Sequence, residues 1–285
     1  MSKNPRHRAA AGPLGPVQQS LEQAILALRM QRADEAERIA GGVLKSDRGN
    51  LLAAQIFGRA LLMQNRANDA IAPLERAARR GNDPAIETEL AGALAAAGRT
   101  DAALERLQRT TARRPPFVPA FLEYGNQLAR IGRQDEAVRV LESGLEAAPD
   151  AVDLRMALAF TYIRRNDRVR ARDMLQRAAS DAPQRHDVLA ALARVLAQDG
   201  EYAAAADLFR RALALQPDDV ATRSSFGACL LEMGEREAGE ASLRQAVRGG
   251  PHMVGQTITA LASASHGRFF LRPSDAAKFL HVDKT

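Results

Sequence analysis

Large apolar, small and turn-forming residues recur along this chain with a period of 34. In the stretch 220–253, Phe226, Gly227, Leu230, Leu243 and Ala246 stand at positions 7, 8, 11, 24 and 27, with Gly234 at 15, Gly239 at 20 and Pro251 at 32. One period earlier those places hold Leu192, Ala193, Leu196, Phe209, Ala212, Gly200, Ala205 and Pro217. Before that come Leu158, Ala159, Tyr162, Leu175, Ala178, Asn166, Ala171 and Pro183, then Tyr124, Gly125, Leu128, Leu141, Gly144, Gly132, Ala137 and Pro149. Polar residues fill most places between. Positions 4, 7, 8 and 11 share one face of a helix, and 20, 24 and 27 one face of a second. Gly or Asn at 15 suits the left-handed residue that closes a helix. Proline at 32 stops the second helix or opens the next unit. The small residue at 8 is expected to face the small residue at 20, so that the axes approach to about 8–10 Å. A fixed period of this length marks a stack of repeats.

The period weakens upstream without being lost. Leu90, Ala91, Leu94, Gly98, Ala103, Leu107 and Pro115 define residues 84–117. Phe57, Gly58, Leu61, Asn65, Ala70, Leu74 and Ala77 define a 33-residue repeat, 51–83, and Ala24, Ala36, Ala40 and Val43 a first one at 17–50. The remaining boundaries are 118–151, 152–185, 186–219 and 220–253. After these, 254–265 reads as a capping helix that covers the apolar face of the last repeat. Ser274 and Asp275 offer an N-cap for a short helix from Ala276 to about Leu280. Phe269, Phe270 and Phe279 give the segment 254–285 two readings: a cover for the end of the stack, or a docking tail for a partner.

These positions resemble the tetratricopeptide repeat (TPR) consensus of large apolar, small, large apolar, turn glycine, Ala, large apolar, Ala, Pro. The resemblance spans seven repeats and implies an all-α fold, a right-handed superhelical solenoid of about seven helix-turn-helix repeats with a C-terminal capping helix. In TPR proteins the concave surface is lined by first-helix positions 2, 5, 9, 12 and 13. Carried onto this sequence, those positions make repeat three nearly featureless (Ala85, Thr88, Gly92, Ala95, Ala96) and give repeats four to six Leu122, Asn126, Arg130, Met156, Phe160, Ile163, Arg164 and Arg194. The expected partner is a protein or peptide with apolar side chains and an acidic group or C-terminal carboxylate. Arg130, Arg164 and Arg194 would fork the carboxylate while Asn126 bonds the peptide backbone. The alternative is that these arginines only solvate the surface. The lysines of the co-chaperone carboxylate clamp have no counterpart here.

Charge sharpens the expectation against nucleic acid. The chain carries a formal +6. The leader, 1–16, contributes +3 and residues 254–285 contribute +2, which leaves about +1 on the repeats. A nucleic-acid groove concentrates cations and aromatic faces, and these repeats do neither. The leader is basic, rich in Pro and Gly, and has no apolar core of a secretory signal, so it is expected to be a flexible segment. No apolar run approaches the roughly 18–20 residues of a membrane span, and with a lone Cys229 no disulfide closes within the chain. Cytoplasmic residence follows as the default.

Catalytic, cofactor and metal sites are not expected. The five histidines are scattered, and no phosphate-loop glycine pattern, HExxH or GxSxG occurs. Cys229 sits among packing residues and reads as a small hydrophobe. The reading is a non-enzymatic interaction scaffold. Two alternatives stay open. One is a self-associating scaffold, a homo-oligomer, joined through its phenylalanines. The other is an accessory subunit or relative of a transferase, since residues 34–62 are similar to bacterial TPR segments fused to glycosyl- or sulfotransferase domains.

Overall fold

The computed structural model describes residues 15–270 and 272–280, and over these the chain is helical throughout, with no strand. It divides into two compact units at Ala147/Ala148. The first unit contains α1 (Pro16–Arg29), α2 (Ala33–Ser46), α3 (Leu51–Met63), α4 (Ala67–Arg80), α5 (Pro84–Ala96), α6 (Thr100–Thr111), α7 (Val118–Arg130) and α8 (Gln134–Ala147). The second contains α9 (Val152–Arg164), α10 (Arg168–Asp181), α11 (His186–Gln198), α12 (Tyr202–Leu215), α13 (Val220–Glu232), α14 (Arg236–Gly249), α15 (Val254–Ser263) and α16 (Pro273–Leu280). Each repeat is a helical hairpin. First helices also touch the first helix of the following repeat, α1 on α3, α3 on α5 and α5 on α7 in the first unit, and α11 on α13 in the second. One layer of each unit is therefore made of first helices.

The core of each hairpin is the expected stripe. Position 20 is alanine in the first six repeats (Ala36, Ala70, Ala103, Ala137, Ala171, Ala205), and all six are fully buried, as are Ala40, Leu74, Leu107, Leu141, Leu175, Phe209 and Leu243 at position 24. The structure adds a contact to the expected pairing of 8 with 20. A Cβ added to Gly125 would lie 2.5 Å from the side chain of Leu141, and one on Gly58 2.8 Å from Leu74. In the seventh repeat the Gly227 Cβ would meet both Leu243 at 2.8 Å and the backbone oxygen of Gly239 at 3.0 Å. Where position 8 is glycine it is thus pressed by the leucine at 24, and in the seventh repeat also by the backbone at 20.

Position 15 takes the left-handed conformation in every repeat. Gly98, Gly132, Gly200 and Gly234 have φ between 79° and 84°, and Asn65 and Asn166 have φ of 60° and 59°. The same backbone closes the first repeat on Gln31, φ 60°, a residue that the apolar and turn pattern did not single out. Each closure is a Schellman motif. The N–H of position 16 donates to the carbonyl of position 11, as in Arg99 to Leu94 (2.8 Å) and Arg133 to Leu128 (2.9 Å). Arg32 makes the same bond to Ala27 at 2.8 Å, so Gln31 is held by the motif despite its side chain.

Past the seventh repeat, α15 packs on α13 and α14 as a capping helix. The short terminal helix starts earlier than its sequence suggests, at Pro273 and not at Ala276. Proline is favoured in the first helical turn, where its missing N–H is no loss. Ser274 and Asp275 lie inside that turn, with the Asp275 N–H donating to the Arg272 carbonyl at 3.0 Å.

A left-handed non-glycine residue costs roughly 1 kcal/mol or somewhat more, partly offset by the flexibility that glycine adds to the unfolded chain. Gln31→Gly is therefore expected to raise stability by about 0.5–1 kcal/mol, read as a higher thermal midpoint. An unchanged or lower midpoint would show that Gln31 carries no strain.

Candidate functional site

A groove of about 560 Å³ runs across the first-helix layer of the first unit, over α3, α5 and α7. Arg59, Leu62 and Met63 line one end, and Pro119, Leu122 and Asn126 the other. Thr88, Gly92 and Ala96 form the middle. These three recur every four residues along one face of α5. The repeat that looks featureless in sequence supplies the room: its side chains are too small to fill the groove.

Two further lining residues, Glu89 and Glu123, stand at position 6, outside the set carried over from the family. They bring charge into the groove. Burial pushes the Glu89 carboxyl above the ordinary glutamate value, with Arg59 opposing and Glu123 adding to the shift. Arg59 Nη1 lies 3.7 Å from Glu89 Oε1. Gln127 Nε2 donates to Glu123 Oε1 at 2.6 Å, and Arg130 donates to Gln127 Oε1. Of the expected binding residues in this unit, Asn126 thus lines the groove. Arg130 is exposed and engaged by Gln127, and does not line it. A signal for the glutamates exists in the sequence, since position 6 lies three residues before 9 and seven before 13, on the same helical stripe.

In the second unit the expected residues divide. Phe160 is 37% exposed, and Arg164 and Arg194 are exposed. Ile163 is half-buried against the core. Met156 must be corrected: expected as a surface anchor, it is 6% exposed and belongs to a core cluster that also holds Ala159, Leu175, Val188 and Leu192. The carboxylates on these first helices are already taken, because Arg185 binds Asp153 at 2.6 Å and Asp187 at 2.5 Å. Among the described residues Arg164 and Arg194 have no ion pair. Loss of solvent draws the Arg194 pKa down, with Asp219 opposing.

Phe269 is 74% exposed. The other two tail phenylalanines pack inward. Phe270 and Phe279 have centroids 5.3 Å apart and join Leu231, Leu243, Val247, Leu261 and Leu280. The guanidinium groups of Arg244 and Arg268 lie 4.8 and 4.7 Å from the Phe279 centroid, a geometry that favours cation–π attraction. Arg268 also pairs with buried Glu240 at 3.1 Å. Burial alone would raise the Glu240 carboxyl, but bonds from Arg236 and Arg268 hold it below its ordinary value. Most of the basic leader, residues 1–14, and the final five residues lie outside the described residues.

Among the described residues no group of three His, Cys, Asp or Glu could hold a metal ion, and no helix is long and apolar enough to cross a membrane. Cys229 is 3% exposed, and burial pushes its thiol up to about 11, which leaves little thiolate at neutral pH.

Two tetratricopeptide-repeat family models match the chain, one over residues 88–152 and the other over 132–195 and again over 196–252. No curated protein matches by sequence. Among solved structures, the human IFIT1 dimer with PPP-AAAA is similar at 14% identity and a TM-score of 0.66, over 87% of this chain and 64% of that one. The APC/C hetero-tetramer Cut9–Hcn1 aligns at 15% identity and 0.65, over 85% of this chain and 48% of that one. The C-terminal part of a TPR repeat-containing protein from Cytophaga hutchinsonii aligns at 12% and 0.55, covering 85% and 99%. The chain spans less than two thirds of the IFIT1 chains, and at these identities the likeness is one of fold.

Glu89 yields a pH-dependent expectation. Its folded-state pKa lies above the ordinary 4.5, so its protonated form stabilises the fold. That contribution is full below the ordinary value and is lost as pH rises through the raised one. Glutamine mimics the protonated carboxyl. Glu89→Gln should raise the thermal midpoint at pH 7–8, and the gain should vanish below about pH 4. A gain that is the same at both pH values would refute the assignment.

Proposed function

With tetratricopeptide-repeat models matching more than half of it, the chain belongs to the TPR family, and we propose that it is a non-enzymatic scaffold that holds a segment of another protein on its first-helix layer. The observation that carries this reading is the groove across α3, α5 and α7. Three helices at about 8–10 Å spacing present a track of roughly 16–20 Å, the reach of five or six extended residues. Leu62, Met63 and Leu122 offer apolar contact there, and Asn126 offers an amide to the peptide backbone. In the second unit, Phe160 and Ile163 stand beside Arg164, and Arg194 adds a second unpaired cation. Taken by itself, the second unit thus favours a segment with apolar side chains and an acidic group or C-terminal carboxylate.

An RNA strand is the rival occupant, because human IFIT1 holds PPP-AAAA on a related fold. Glu89 and Glu123 in the groove disfavour it: a phosphate backbone would meet two carboxylates. The scaffold reading also accounts for Cys229, whose buried, protonated thiol serves packing and not chemistry.

The test is selection of peptides with free C-termini from a random library on the full chain, followed by affinity measurement. Acidic or carboxylate-ended sequences with apolar neighbours should be enriched. Each arginine–carboxylate bond contributes about 1.5–3 kcal/mol, so Arg164→Ala/Arg194→Ala should weaken binding by about tenfold or more. Failure to enrich such peptides, together with tight binding of PPP-AAAA, would overturn the proposal.

A further inference from the structure

A second cavity, of about 770 Å³, lies in the first unit between α2 and α4, on second helices and away from the groove. Its rim carries Arg38, Lys45, Arg48, Arg76 and Arg80. None of these five has an ion pair among the described residues. Of the two acids at the rim, Asp34 and Glu37, Glu37 is occupied: both its oxygens accept from Arg66, at 2.9 and 3.0 Å, and one from Gln64 at 2.8 Å. The floor is apolar, made by Leu44, Ala54 and Phe57.

The shape of the cavity has a cause in the sequence. Gly41 and Gly42 stand at positions 25 and 26 of the first repeat. The corresponding residues in the other repeats are Glu75–Arg76, Gln108–Arg109, Glu142–Ser143, Gln176–Arg177, Arg210–Arg211 and Arg244–Gln245. Only the first repeat thus lacks side chains at this point of its second helix, at a cost of about 1 kcal/mol per glycine relative to alanine. Crowding explains one of the pair, because a Cβ on Gly41 would meet the Phe57 ring at 3.2 Å. It does not explain the other, since nothing lies within 4 Å of a Cβ on Gly42. Around this gap the cations are in register. Arg38 and Lys45 are two turns apart on α2, and Arg76 and Arg80 one turn apart on α4, so each pair shares a helical face.

We propose that this cavity binds a phosphate-bearing small molecule with a flat, apolar body, of the size and kind of a nucleotide. Arginine forks suit phosphate oxygens, and five cations against Asp34 and the already engaged Glu37 leave a positive excess around a concave site, which concentrates anions. The Leu44, Ala54 and Phe57 floor takes a ring that inorganic phosphate lacks. A volume of this order is that of an ordinary small-molecule site, roughly 300–1,000 Å³.

The experiment is titration calorimetry of the full chain with ATP, tripolyphosphate and a single-stranded oligoadenylate RNA, at two salt concentrations. ATP is expected to bind saturably at one site per chain, more weakly at high salt, and at least tenfold more tightly than tripolyphosphate. Gly42→Leu puts a bulky side chain, and a better helix former, on the cavity lining at an uncrowded point. It should leave the thermal midpoint unchanged or higher and reduce ATP affinity at least tenfold, as should Arg76→Ala/Arg80→Ala. No ATP binding, equal affinity for tripolyphosphate, tighter RNA binding, or ATP affinity unmoved in both variants would each overturn the proposal. Peptide binding to the first-helix layer is unaffected by either outcome, so the two functional readings fail separately.

Discussion

The close approach of two helices at positions 8, 20 and 24 is the constraint on which the rest of the structure depends. At Gly125 the second helix comes so near that a single added carbon would lie 2.5 Å from Leu141. The fit is not identical everywhere. Ala91 faces the period of Leu107, and Ala159 that of Leu175, so the axes there accommodate one methyl more while all four residues remain fully buried. No repeat places anything larger than alanine at position 8. Van der Waals packing of this kind is intolerant of added volume, which gives the hairpin a defined geometry and each unit a regular layer of first helices.

Once packing has claimed positions 8, 11, 20, 24 and 27, chemistry is left to the others. In the first unit small residues on α5 open a groove, and Glu89 is carried into it far enough to lose water. In the second, Arg185 neutralises Asp153 and Asp187, and neither Arg164 nor Arg194 forms an ion pair among the described residues. The same division of labour operates on the second helices, where Gly41 and Gly42 leave a cationic cavity that their counterparts elsewhere would fill. Function in a repeat protein of this kind lies in departures from the repeat.

That division also explains what could be read from sequence. The hairpins, their order and the left-handed residue at position 15 were legible because each recurs and each has a local cause. Gln31 was not, since glutamine has no preference for that backbone and is held there by the Arg32–Ala27 bond. Asn126 and the small residues of α5 fell on the expected face. Glu89 and Glu123 were passed over because a list of five positions is narrower than the helical stripe it stands for. Met156 was misjudged because position 5 of the fifth repeat is drawn into the core cluster of the second unit, a tertiary burial that one helix cannot announce. For the tail, aromatic residues admitted both burial and docking. The structure divides them: Phe270 and Phe279 pack on each other and on the apolar cluster, with Arg244 and Arg268 over Phe279, while Phe269 stays exposed.

The central claim is that direct contact between positions 8 and 24 sets the hairpin geometry. A double-mutant cycle on Gly125→Leu and Leu141→Ala, followed by urea unfolding, tests it most directly. Each change alone should destabilise. If the two residues compete for one space, the double variant should recover about 2 kcal/mol or more of the summed loss, at the strong end of couplings measured between touching residues. Losses that simply add would contradict the account.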